Sequence, residues 1–299
     1  MKIFNCIFLD RVKRKIRKYI YKVDNIKDDK EYLIKYGKIR LGYKMNLDNP
    51  KTINEKLNWY KLNYHNNLMV TCTDKYSAKQ YVREKGLEHI LVKDYGVYDK
   101  VEDIDLNKLP NSFVAKVTGD SGGVVVCKNK ENFYKQAENK FNNLDKDYSN
   151  ENKEWHYHHI KNKIIVEDLI ETEDGHSPKD YKIFCFNGEP KFLFVASERD
   201  VDVKFDFFDL DWNHINVKQG HLNAKNKIKK PEKFDEMLDI CRVLSKDFPH
   251  VRVDLYYEKG KIYFGELTFF HFSGMTPFHP KKYDYIFGEY FDISSISKK

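Results

Sequence analysis

Two places in the chain carry residue types and spacings that can do chemistry. Lys116 lies inside the apolar run Phe113-Val114-Ala115-Lys116-Val117, and Gly119-Asp120-Ser121-Gly122-Gly123 follows directly. Such a run reads as a short strand, and a lysine within one is costly to bury unless an anion meets it. Backbone N–H groups of a glycine-rich turn can close over phosphate oxygens. No Gly-Lys-Ser/Thr follows, so this is not a Walker A loop. Taken alone, the segment is either a phosphate cradle or an ordinary tight turn.

The second place is Arg252-Val253-Asp254-Leu255-Tyr256 with Phe264-Gly265-Glu266-Leu267-Thr268. Alternation puts Arg252, Asp254 and Tyr256 on one face of a strand. A turn near Glu258–Lys261 would set Asp254 close to Glu266 across a hairpin. Paired carboxylates on adjacent strands suit Mg²⁺, a hard ion that takes oxygen ligands and bridges phosphates. The alternative is a cross-strand Arg–carboxylate pair with no ligand at all.

Other candidate chemistry is thinner. His156, His158 and His159 cluster beside Trp155 and Tyr157, yet no matching ligand group stands elsewhere, so a polar aromatic patch is favoured over zinc. No nucleophile elbow or Cys–His context is present. Cys6, Cys72, Cys127, Cys185 and Cys241 are dispersed and form no CxxC pair, which excludes a disulfide framework and fits a reducing compartment.

The elements that must position these residues can be read in order. Thr52 and Glu55 have capping-box spacing ahead of Leu57, Trp59, Tyr60 and Leu62, predicting a helix. Asp74 caps a second helix through Tyr76, Ala78, Tyr81 and Val82, stopped by Gly86. Strands follow at 113–117 and 124–127, then a polar helix over about 131–143. Ile164–Val166 is a strand ending in an acidic run from Glu167 to Asp174. Residues 181–186 and 190–196 form a hairpin about Asn187-Gly188, the strongest short hairpin turn. Pro231 opens a helix carrying Phe234, Met237, Leu238, Cys241 and Leu244, and the last hairpin pairs 251–257 with 261–267. Residues 24–48 show no decisive pattern. Helices mixed with hairpins favour an antiparallel α+β architecture over a doubly wound sheet.

At 299 residues, 41% hydrophobic and 15% aromatic, the chain can bury a sizeable core, so wholesale disorder is excluded. The net charge of +7 is carried by residues 1–22, which hold eight Lys/Arg against Asp10 and leave 45 charges of each sign elsewhere. A globally basic nucleic-acid binder is therefore excluded. Within that segment Val12, Ile16, Tyr19 and Ile20 recur at helical spacing, so it can either rest on anionic lipid or dock on the body by its apolar stripe. No apolar run approaches the ~18 residues that span a bilayer.

Taken in order, these pieces resemble the ATP-grasp superfamily, and more narrowly the TupA-like ATP-grasp family linked to teichuronopeptide and other surface-polysaccharide biosynthesis. The narrower resemblance rests on Asn49–Trp59, Thr73-Asp74-Lys75-Tyr76, Phe113–Gly123, Asp180-Tyr181-Lys182 through Gly188, and the Arg252–Tyr256 and Phe264–Thr268 pair. It covers about residues 45–285. The wider superfamily usually places Asn where Thr268 stands, and the N-terminal lobe is abbreviated here.

The resemblance implies two α+β subdomains gripping ATP, with a basic extension over 1–48, a small lobe over 49–110, a flap-bearing subdomain over 111–169 and a metal-bearing one over 170–299. It implies that Lys116 holds ATP phosphates beneath a flap of Gly119, Ser121, Gly122 and Gly123. Glu167, Asp168 and Ile170 would form the adenine hinge, and Asp180 would take the ribose. Lys182, Arg199 and Arg252 would face phosphates or acceptor, while Asp254, Glu266 and Thr268 would hold Mg²⁺. The implied activity is ATP-dependent joining of a carboxylate, such as a uronic acid, to an amine through an acylphosphate. The same nucleotide site also suits a kinase, and a non-catalytic glycan- or membrane-associated module is a third reading. The expected place is the cytoplasm, with peripheral contact to anionic membrane through residues 1–22.

Overall fold

The computed structural model describes residues 23–120, 122–141, 144, 149–294 and 296. The amphipathic segment 1–22 and Ser121 lie outside them. The described residues form two compact units, one within 66–216 and 221–269, the other within 23–65, 217–220 and 270–296.

The larger unit contains two antiparallel sheets. The first is built from β1 (Asp94–Tyr98), β2 (Phe113–Val117), β3 (Val124–Cys127) and β4 (Ile164–Asp168), in the order β1-β4-β2-β3. Phe113, Ala115 and Val117 alternate into a core with Ile164, Val166 and the helix Phe133–Phe141, where the Phe113 and Phe133 rings lie 5.1 Å apart. Period-two alternation then directs Val114 and Lys116 to the opposite face. Burying Phe113 and Phe133 fully contributes about 1.5–3 kcal/mol each.

The second sheet is built from β5 (Asp180–Phe186), β6 (Glu189–Ser197), β7 (Lys204–Phe208), β8 (His214–Ile215), β9 (His250–Glu258) and β10 (Lys261–Thr268), in the order β10-β9-β5-β6-β7-β8. Asn187 and Gly188, both with positive φ, make the tight β5–β6 turn. The helix Phe234–Ser245 packs its buried Met237, Cys241 and Leu244 side against this sheet. It starts three residues after Pro231, because Pro231 sits in a preceding turn whose carbonyl accepts from Phe234 N at 3.2 Å.

His250 is fully buried at the start of β9, stacked 4.6 Å from Phe186, with Nδ1 2.9 Å from the Cys185 carbonyl. Burial pushes its imidazole down to about 3. The unfolded chain protonates this group near pH 6.5 while the native state does not, so the stabilisation is complete above pH 6.5 and is lost as pH falls towards 3. Each pH unit in that window costs up to about 1.4 kcal/mol. Thermal melts from pH 7 to 4 should show this slope, and His250→Phe should flatten it; an unchanged slope would reject the assignment.

In the smaller unit the helix Ile53–Asn63 carries the expected capping box, with Thr52 Oγ1 accepting from Glu55 N at 3.1 Å and Glu55 Oε2 accepting from Thr52 N at 3.1 Å. Residues 24–48, without a clear pattern in sequence, include the helix Asp29–Leu41, capped by the Asp28 side chain and ended by Gly42 at φ 81°. Its buried Tyr32, Leu33, Tyr36 and Leu41 pack with Met45, Leu47 and Met275. No helix among the described residues is long and apolar enough to cross a membrane.

Candidate functional site

β2 places Lys116 beside β4, where its Nζ meets Glu167 Oε2 at 2.7 Å. The other oxygen of Glu167 meets Lys79 Nζ at 2.6 Å, and Lys79 also reaches Asp94 at 3.2 Å and the Val92 carbonyl at 2.7 Å. Burial alone would raise the Glu167 carboxyl, but the Lys116 and Lys79 charges outweigh it and hold the group below the ordinary range. Lys116, partly exposed, thus has its ammonium fixed at the edge of a cavity of about 500 Å³.

That cavity has apolar walls from Val114, Val124 and Val126, and cationic corners at Lys116 and Arg199. Asp168 and Ile170, expected in the hinge, line it, whereas the Glu167 side chain is spent on the two lysines. Tyr95 O–H donates to Asp168. The glycine turn is tied at both ends: Gly119 N donates to Asn162 Oδ1 at 3.1 Å, and Val124 N donates to Gly122 O at 2.9 Å. Gly122 has φ 115°, open to glycine at little cost, so Gly122→Ala would strain the turn.

Lys75, whose part in the site had no signal beyond the Asp-Lys pair, supports this turn. Its Nζ donates to Asp120 O at 2.6 Å, and burial lowers its pKa, with Lys116 pushing the same way and Glu266 opposing. Lys79 was likewise hidden, because in sequence it is one polar residue of a short helix.

The other sheet gathers the remaining residues. β9 sets Asp254 between Lys182 on β5 and Glu266 on β10, and Arg252 opposite Thr268. A bulge at Gly265 keeps this register; a Cβ there would come within 2.9 Å of the Asp254 carbonyl. Arg252 forks onto Asp254, Nε to Oδ1 and Nη2 to Oδ2 both at 2.7 Å, and also reaches Thr268 Oγ1 at 2.9 Å and Glu266 Oε1 at 3.3 Å. Lys182 pairs with Asp254 and, at 2.7 Å, with Asp180, which Arg199 approaches to 3.9 Å.

Burial pushes Asp254 up to about 6 against the pull of Arg252 and Lys182. At the half-exposed Glu266, Lys182, Lys75 and Arg252 overcome the burial effect and hold the carboxyl at about 2. Burial would lower Lys182, yet Asp180 and Asp254 raise it. Two observations bear on ligands. Asp180 Oδ1 is buried with no hydrogen-bond partner, an acceptor suited to a ligand hydroxyl. Asp254, Glu266 and Thr268 form an oxygen-only donor set that suits a hard divalent cation, although both Asp254 oxygens face Arg252 and Lys182. Among the described residues no group of three His, Cys, Asp or Glu is arranged to hold a metal. The histidines at 156, 158 and 159 lie on an aromatic turn, Trp155–His159, whose His156 ring sits edge-on 6.2 Å from Phe269.

The family described as TupA-like ATPgrasp matches residues 55–292. No curated protein matches the chain. Among solved structures, similarity extends to a D-alanine–D-alanine ligase from Bacillus anthracis complexed with ATP (17% identity, 66% of this chain and 53% of that one, TM-score 0.42). It extends also to the D-alanine–D-alanine ligase from Helicobacter pylori (18%, 72% and 60%, TM-score 0.41) and an L-amino acid ligase from Bacillus licheniformis (14%, 69% and 42%, TM-score 0.39). The chain spans between 42% and 60% of the length of these ligases.

Proposed function

The chain belongs to the TupA-like ATP-grasp family, with its α+β ATP-grasp fold, and from that premise we propose that it is an ATP- and Mg²⁺-dependent carboxylate–amine ligase of surface-polysaccharide synthesis. One observation carries the reading. A buried carboxylate, Glu167, pins Lys116 at a cavity that has aliphatic walls on one side and the Arg199–Asp180 pair near the other. Aliphatic walls suit a purine ring, and the orphaned Asp180 Oδ1 suits a ribose hydroxyl.

In this reading Lys116 neutralises the triphosphate, and the Gly119–Gly123 turn covers it. Glu266, Asp254 and Thr268 would hold Mg²⁺, which would supply charge neutralisation to the phosphates. Catalysis is then mostly positioning and electrostatics. A substrate carboxylate oxygen bonds to the γ-phosphorus as the bond to ADP breaks. The amine nitrogen next bonds to the acyl carbon, phosphate leaves, and the nitrogen gives its proton to solvent. Arg252, Lys182 and Arg199 keep cationic charge beside both departing groups. The uronic acid and its amine partner are the expected substrates, and the cytoplasm the expected place.

The test is ADP release with uronic acids and amines offered in pairs, read by product mass. An amide with stoichiometric ADP and phosphate is expected. A stable phosphorylated product would select a kinase instead, and no nucleotide binding at all would sink both.

A further inference from the structure

The segment 155–163 touches both halves of the site and contains a tyrosine that the proposed chemistry does not use. At one end it packs on the glycine turn. Thr118 N donates to Lys163 O at 2.9 Å, Lys163 N to Thr118 Oγ1 at 3.2 Å, and Gly119 N to Asn162 Oδ1 at 3.1 Å. A Cβ at Gly119 would come within 2.5 Å of Ile160 Cγ2, so no side chain fits between turn and segment. At the other end the His156 ring lies 6.2 Å from that of Phe269, the residue directly after Thr268 and β10.

Tyr157 lies between these two contacts. Its backbone is fixed on both sides, with Tyr157 N donating to Glu154 O and Ile160 N donating to Tyr157 O, each at 3.1 Å. Its ring is tilted against His156 at 4.4 Å. Burial pushes the phenol well above its ordinary range; Glu154, Glu266 and Asp120 push the same way, and Arg252 opposes. The hydroxyl therefore stays protonated at neutral pH. It lies in the field of Asp120 from the glycine turn and of Glu266 and Arg252 from the sheet, yet it makes no hydrogen bond among the described residues. A partly buried O–H with nothing to donate to is left for a ligand acceptor.

The surroundings narrow the kind of acceptor. A neutral hydroxyl donor beside Arg252 suits an oxygen that carries negative charge. The purine end of the nucleotide is excluded, because no residue of 155–163 lines the cavity of Val114, Val124 and Val126. The glycine turn covers the phosphates and Glu266 holds the ion in the reading above, so the atoms between those two elements are those of the last phosphate. We propose that Tyr157 binds the terminal phosphoryl group of ATP, its O–H donating to an oxygen of that group. The phenol gives up no proton in this role. The assignment rests on the nucleotide site described above, and holds whether a ligase or a kinase uses it.

The test is titration calorimetry of the full chain with Mg²⁺ and either ADP or adenylyl imidodiphosphate, a non-hydrolysable ATP analogue. Tyr157→Phe keeps the ring and its contact with His156 and removes only the hydroxyl. The variant should bind ADP as the wild type does and the analogue about tenfold more weakly, as expected for one lost hydrogen bond to a charged oxygen. The ratio of two affinities within one protein is insensitive to any change in the folded fraction. Equal loss for both ligands makes Tyr157 a packing residue, and no loss for either leaves its hydroxyl outside the site; each result overturns the proposal. A wild type that binds neither nucleotide overturns it together with the ligase reading. An amide product with an unchanged affinity ratio rejects Tyr157 alone, and a shifted ratio without an amide rejects the ligase alone.

Discussion

Replacing Lys116 with alanine is expected to weaken ATP binding by about ten- to a hundredfold, the loss of one charge-assisted contact of roughly 1.5–3 kcal/mol. The structure adds a second consequence. Lys116 is one of two cations on the buried Glu167, and Lys79 remains in the variant at 2.6 Å. The fold should therefore survive, with a melting temperature lowered by a few degrees. Lys79→Ala should show the opposite balance. Lys79 is the deeper partner, with 4% of its side chain exposed against 23% for Lys116, and its removal strands Asp94 and the Val92 carbonyl as well. Titration calorimetry and thermal melts on both variants separate the two roles. Equal nucleotide affinity in Lys116→Ala and the wild type would remove the lysine from the nucleotide site.

Glu266→Gln and Asp254→Asn are expected to part company in stability while both lose Mg²⁺-dependent turnover, by about a thousandfold if each supports the ion directly. Asp254 has 1% of its side chain exposed and accepts from Arg252 and Lys182 together. Neutralising it leaves two buried cations short of a partner, a change that costs about 3–5 kcal/mol when a buried pair is broken. Glu266 is 41% exposed, so its loss should cost under 1 kcal/mol. Turnover should also decline as pH falls through about 6, because burial raises Asp254 to that value and its protonated form is a poorer cation ligand. Metal titrations followed by turnover, run with melting curves, test this. A Glu266→Gln enzyme with unchanged Mg²⁺ dependence would return the cluster to the purely structural Arg–carboxylate pairing.

The local grammar of the chain was open to reading from residue types. Thr52 and Glu55 close a capping box because both partners lie within one turn of helix, whatever surrounds them. Asn187-Gly188 and Lys259-Gly260 have the positive φ of two-residue hairpin turns, which sets the register beside each turn. It is the bulge at Gly265, however, that shifts the register by one and brings Glu266 opposite Asp254. Alternation alone sends Lys116 to the face opposite Phe113 and Ala115. Patterns of that kind indicated an α+β chain, and the ordered segments between Asn49 and Thr268 resemble the ATP-grasp superfamily.

Strands with weaker patterns were not legible. β1 runs through Gly96 with every residue half-buried, and β7 is short and follows an irregular turn, so neither shows alternation strong enough to declare itself. The length of the acidic run after Ile164 also said nothing about which carboxylate would be buried. Residue types and short-range spacing thus determined that a lysine, a glycine-rich turn and a pair of carboxylates lie on hairpins. Only the tertiary structure decided how they are wired: Glu167 to Lys79 and Lys116, Asp254 to Arg252 and Lys182, Lys75 beneath the glycine turn. These partners sit on different strands and helices, and an ion pair leaves no mark in sequence until the chain has folded and removed both charges from water. The choice is physical, since a buried charge is tolerated only beside its counterpart, and the sheet registers settle which counterpart is near.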